Sequence, residues 1–91
     1  MIVPHERMTR AVDALQRMGA RRVLLFGSAV ESPDSARDVD LAVEGIPLNR
    51  LLDAEVAVQE ILGEPTDMVS REENPDLFEI VARRGKVLLK E

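Results

Sequence analysis

Apolar positions recur with two different periods along this 91-residue chain. Met8, Ala11, Val12, Leu15 and Met18 fall at i, i+3, i+4, i+7 spacing, which predicts an amphipathic helix from about Pro4 to Met18 with Gly19 as its stop. Pro4 suits a first helical turn. Arg22 to Phe26 is a nearly continuous apolar run and reads as a first strand, central in its sheet. Ala29 to Arg37 is a connection with a turn-rich cluster at Glu31-Ser32-Pro33-Asp34-Ser35. Asp38 to Glu44 reads as a second strand. Gly45-Ile46-Pro47 is a turn and Asn49 the expected N-cap of a helix from about Arg50 to Leu62. Leu51, Ala54, Val58 and Ile61 share one face of that helix, widened by Ala57 and Leu62, and they read as core packing. Pro65 to Val69 is a short third strand, with proline at its start or at a sheet edge. Ser70-Arg71-Glu72-Glu73 has capping-box spacing, and Asn74-Pro75 offers a second N-cap. Leu77, Ile80 and Val81 mark a last helix from Asp76 to Arg84, and Lys86 to Leu89 reads as a closing strand with Lys86 and Lys90 as edge charges. The order helix, strand, strand, helix, strand, helix, strand predicts one α/β (α+β) domain over residues 1–91, with helices packed on a small mixed sheet.

Two acids interrupt the apolar alternation of the second strand. Side chains on a strand alternate faces, so Asp38 and Asp40 are expected to point one way and Val39, Leu41 and Val43 the other. By strand rise the two acids stand roughly 7 Å apart at the backbone. Aspartate is depleted in strands, and a carboxylate cannot be buried unpaired without a large cost. A solvated face of a half-buried strand is one explanation. A pair of carboxylates holding divalent cations is the other and the favoured one, since two-metal phosphoryl-transfer sites need such oxygens. Magnesium suits hard oxygen ligands and takes others from substrate phosphates. Gly27-Ser28 ends the first strand. Alone it is an ordinary turn. Joined to the two acids, it is favoured as a place where bare N–H groups and one hydroxyl meet phosphates. Glu44 is taken to fall out of phase with the two acids and is given no role. The lone histidine, His5, reads as an exposed residue.

Composition narrows the classes. There is no cysteine, hence no disulfide, thiol nucleophile or zinc-thiolate site. The formal charge of −5 argues against direct nucleic-acid binding, which needs a basic face. It would also repel an anionic nucleotide until a metal neutralised the site. No apolar run is long enough to span a membrane, and Met1 to Arg10 lacks the apolar core of a secretory signal. A cytoplasmic protein is the default expectation.

Gly27-Ser28, nine further residues, then Asp38-x-Asp40 in an apolar strand, resembles the signature of the nucleotidyltransferase superfamily, whose fold is shared with the DNA polymerase β palm. The short length is similar to its minimal nucleotidyltransferase (MNT) branch, whose members typically partner HEPN-domain proteins, often as antitoxins. Asp67 stands where the family expects a third acid. The resemblance covers nearly the whole chain. It implies that Asp38, Asp40 and Asp67 hold two Mg²⁺ ions and that Gly27 and Ser28 cradle the outer phosphates of ATP or another nucleoside triphosphate. It further implies AMP transfer to a tyrosine hydroxyl of a HEPN toxin. Many relatives carry an arginine soon after Gly-Ser and a serine before the first acid. This chain has Ala29, Val30, Glu31 and Ser32 in the loop and Arg37 before Asp38. That difference keeps two further readings open: an antitoxin that works by binding alone, and a plain nucleotide- or metal-binding module.

Overall fold

The computed structural model describes residues 4–27, 30 and 38–91. Ser28, Arg37 and, apart from Val30, the connection between them lie outside the described residues. The elements are α1 (His5–Arg17), β1 (Arg22–Phe26), β2 (Val39–Glu44), α2 (Leu51–Leu62), β3 (Thr66–Ser70), α3 (Pro75–Ala82) and β4 (Lys86–Lys90), with a 3-10 turn at Leu48–Arg50 before α2. They form a four-stranded mixed sheet in the order β3-β2-β1-β4. β2 runs antiparallel to β1 and parallel to β3, and β4 runs antiparallel to β1. The expected α/β architecture is therefore present, with β1 and β2 central. No described helix is long and apolar enough to cross a membrane.

Alternation along the strands sends side chains into two layers. Val23, Val39, Leu41 and Val43 are buried with Ala11 and Leu15 of α1 and with Leu51, Ala54, Val58 and Leu62 of α2. On the other face Leu24 and Ala42 are buried beneath Phe78 of α3. Both helical stripes thus bury the faces their periodicity marks. Gly63 closes α2 with φ 72° and its N–H donates to the Gln59 carbonyl at 2.8 Å, a left-handed cap that favours glycine. Asn74 caps α3, its side chain accepting from the Leu77 N–H at 3.3 Å with Pro75 in the first turn.

Three local expectations change. β2 begins at Val39, so Asp38 stands in the bend before the strand. The sheet starts there because the Val39 N–H donates to the Pro65 carbonyl at 2.9 Å, and Pro65 itself has no N–H to continue the ladder. Asn49 is not the cap of α2. Arg50 occupies that position without a side-chain bond, and the helix is entered through the 3-10 turn, the Arg50 N–H donating to the Pro47 carbonyl at 2.9 Å. At Ser70 the hydroxyl accepts from the Glu73 N–H at 3.3 Å, but Glu72 reaches the Gly45 N–H at 2.9 Å. The acids there tie two turns together rather than box a helix.

Candidate functional site

Strand pairing assembles the acids. Asp40 on β2 stands opposite Phe26 on β1 and directly beside Asp67 on β3. Its strand face is the one that carries Ala42 and packs on α3. Phe78 covers that face near Ala42, while Asp40 is half-buried and Asp67 and Asp38 are exposed. Among the described residues, the acids therefore occupy the end of this sheet face that α3 does not cover. Burial pushes the Asp40 carboxyl above its ordinary value, and the charges of Asp67 and then Asp38 add to the shift. Asp38 thus remains within electrostatic reach of Asp40 although it sits outside the strand. Among the described residues no cation forms an ion pair with Asp38, Asp40 or Asp67.

Asp67 is held in register by its neighbours. Thr66 is buried, its N–H donates to Gln59 Oε1 at 3.3 Å and its hydroxyl donates to the Glu64 carbonyl at 3.0 Å. The end of α2 and the start of β3 are thereby tied just ahead of Asp67.

Gly27 has a role that its place in the sequence does not announce. Its φ is 73°, and a Cβ built there would overlap Asp40 Oδ2. Any side chain at position 27 would compete with the Asp40 carboxylate for the same space, in a backbone region that already disfavours it. Its carbonyl accepts from the Val30 N–H at 3.1 Å. Ser28, expected beside it, lies outside the described residues.

Glu44 corrects the reading from sequence. It lies four residues from Asp40, hence on the same strand face and in phase. Its carboxylate receives Arg22 at 2.9 Å, Arg21 at 3.5 Å and Arg71 at 4.0 Å. Arg22 and Arg71 also approach Glu79 at 3.8 and 3.7 Å, and the Arg22 guanidinium lies 4.8 Å from the centre of the Phe78 ring. His5, as expected, is exposed on the first turn of α1.

The donor set suits magnesium in kind. It offers hard carboxylate oxygens on and beside neighbouring strands, with no cation among the described residues paired to them. It is not a closed cage: among the described residues no three His, Cys, Asp or Glu side chains are grouped to hold an ion. Magnesium commonly needs only one or two carboxylates, with waters and substrate phosphates completing its shell.

Comparison with known proteins gives a consistent picture. No protein-family model matches the chain, and no curated protein matches it. Among solved structures, a protein assigned as a minimal nucleotidyltransferase superposes with a TM-score of 0.73 at 31% identity, over 88% of this chain and 87% of that one. A toxin–antitoxin structure with AMP-PNP superposes at 0.73 with 18% identity, over 94% of this chain and 73% of that one. A complex of a tri-AMPylated Shewanella oneidensis HEPN toxin with its MNT antitoxin superposes at 0.62 with 18% identity, over 93% and 73%. The last two likenesses are of fold alone.

Proposed function

The chain belongs to the minimal nucleotidyltransferase family, and on that premise we propose that it moves a nucleoside monophosphate, AMP from ATP, onto a hydroxyl of a partner protein of the HEPN toxin class. The observation that carries the reading is the placement of Asp40 beside Asp67, with Asp38 close by, at an open end of the sheet where no described cation neutralises them. The nucleotide and partner classes are supported by the solved relatives, one with AMP-PNP and one an AMPylated toxin with its antitoxin.

Asp38, Asp40 and Asp67 are the residues that would hold Mg²⁺, which when bound neutralises the triphosphate and the developing charge on the reacting oxygens. Gly27 leaves the backbone bare where the outer phosphates would lie, and Ser28 would add its hydroxyl. The acceptor oxygen forms a bond to the α-phosphorus, the bond to the β-phosphate bridging oxygen breaks, and pyrophosphate leaves. Asp67, exposed on the edge strand, would polarise the incoming hydroxyl. No protein nucleophile is needed, because such transfers depend on positioning and charge stabilisation.

One observation favours the alternative of an antitoxin that acts by binding alone: the loop after Ser28 reads Ala29, Val30, Glu31, Ser32, without the arginine that many relatives carry there. The two readings separate in one experiment. The protein is incubated with Mg²⁺ and ATP labelled at its α-phosphate in lysate of its host, beside the Asp38→Asn, Asp40→Asn double variant. Label on a discrete protein band with the wild type only is the expected result. With a partner shown to co-purify, label no higher than the variant's would leave the binding antitoxin as the account.

A further inference from the structure

α2 buries one face and leaves a second apolar stripe in solvent. Leu48 in the 3-10 turn is 56% exposed, Leu52 72% and Val56 49%. Leu52 and Val56 are four residues apart and line one outer face of the helix, and Leu48 lies in the turn that leads into it. The core stripe of α2 is a different set, Leu51, Ala54, Val58 and Leu62. Scattered exposed apolar residues need no explanation, but two on one helical face and a third in the turn that leads into it do.

The charge around this stripe says what it can accept. α2 carries Asp53, Glu55 and Glu60 and has no Lys or Arg from Leu51 to Leu62, while Arg50 ends the 3-10 turn that holds Leu48. By helical angle Glu55 borders the stripe on one side and Asp53 and Glu60 border it on the other. None of the three is ion-paired among the described residues. A second copy of this chain packed stripe to stripe would bring these carboxylates against their own kind, which is unfavourable. A helix with an apolar face flanked by Lys and Arg would match both features.

We propose that Leu48, Leu52 and Val56 form the docking surface for a basic amphipathic helix of a partner protein. The surface lies on the opposite side of the sheet from Asp40, because α2 packs on the face of Val39, Leu41 and Val43. Docking there leaves the acids uncovered, so one segment of a partner can be held while another approaches them. The docking step does not depend on the transfer chemistry, and its test stands whether or not the chain transfers nucleotides.

The test uses two synthetic helical peptides that share a leucine face, one flanked by lysine and arginine, the other by glutamate. Each is titrated into the full chain and followed by NMR. The basic peptide is expected to bind and to shift resonances of Leu48, Leu52 and Val56, and the acidic one not to bind. Leu52→Asp is expected to weaken binding about tenfold or more, although it adds a negative charge. Plain charge attraction predicts the reverse, so unchanged or tighter binding to Leu52→Asp would overturn the proposal. So would failure of the basic peptide to bind, equal binding of the two peptides, or a wild-type dimer in sedimentation that Leu52→Asp converts to monomer. The side chain is exposed, so the variant is expected to melt with the wild type, and Leu52→Ala gives a neutral control with a smaller loss.

Discussion

Strand β2 carries a carboxylate near each end of one face, and the two have opposite surroundings. Glu44 is enclosed by Arg21, Arg22 and Arg71. Asp40, about 13 Å away along the strand, stands beside Asp67 and within electrostatic reach of Asp38. Both groups are partly withdrawn from water. At one end the protein supplies the counter-charge. At the other it supplies more negative charge and an open surface. A half-buried carboxylate with no described cation beside it lowers stability, and this is the end of the strand proposed to receive a cation from outside. Perturbed acids of this kind cluster at functional sites, although structural networks also perturb titration.

The comparison is broken most severely by removing the charge at the open end. Asp40→Asn is expected to reduce nucleotidyl transfer roughly a thousandfold, several kcal/mol of charge stabilisation, while leaving the fold intact. Glu44→Gln is expected to leave the transfer rate within a few fold. Rates of label incorporation from α-labelled ATP check both. Equal losses in the two variants would remove the distinction between the ends.

Gly27→Ala comes next. It forces a side chain into the left-handed region, about 1–2 kcal/mol, and into the space of the Asp40 carboxylate. Chemical denaturation should show that loss shrink in an Asp40→Ala background, where the overlap is gone. An undiminished loss would mean that only the backbone angle matters.

Glu44→Gln supplies a third, smaller effect. Arg22 and Glu44 are both mainly buried, with side chains 30% and 19% exposed, whereas Arg21 and Arg71 are 64% and 45% exposed. The Arg22 bond is therefore the one expected to matter, about 1 kcal/mol in a thermal or denaturant melt.

The smallest effect is one of pH. A raised Asp40 value means that the folded state disfavours the ionised form. The contribution to stability is present in full below the ordinary aspartate value of 3.8 and is lost as pH rises through the raised folded value. The metal-free protein should therefore gain stability from this group as pH falls through that window. In melts across it, Asp40→Asn should abolish the gain and raise the melting temperature at neutral pH.

Much of this was legible from residue order, for identifiable reasons. Helix and strand periods follow from local geometry, and the strands and helices expected from them occur within a residue or two. Asp38, Asp40, Asp67 and Gly27 were singled out because two acids interrupt an apolar strand and because their spacing resembles a known family. The order of residues could not say that Asp67 pairs in register with Asp40, since that depends on β3 lying parallel to β2. Asp38 was placed in the strand, whereas the ladder starts one residue later, where Pro65 supplies the first acceptor. Glu44 is given no role from sequence because it is taken to fall out of phase, and its partners at positions 21, 22 and 71 meet it only in the fold. Counting by twos from Asp40 through Ala42 puts it on the same face, and the arginines at 21 and 22 are the available signal. The overlap at Gly27 had none, because only the folded backbone brings it against Asp40.

The claim that the Asp40 end of β2 is the cation-binding end can be read directly. Mn²⁺ is titrated into the protein with AMP-PNP, and paramagnetic broadening is mapped residue by residue. Broadening centred on Asp38, Asp40 and Asp67, absent around Glu44 and lost in Asp40→Asn, is the predicted result. Broadening spread equally over both ends of the strand, or unchanged in Asp40→Asn, would contradict it.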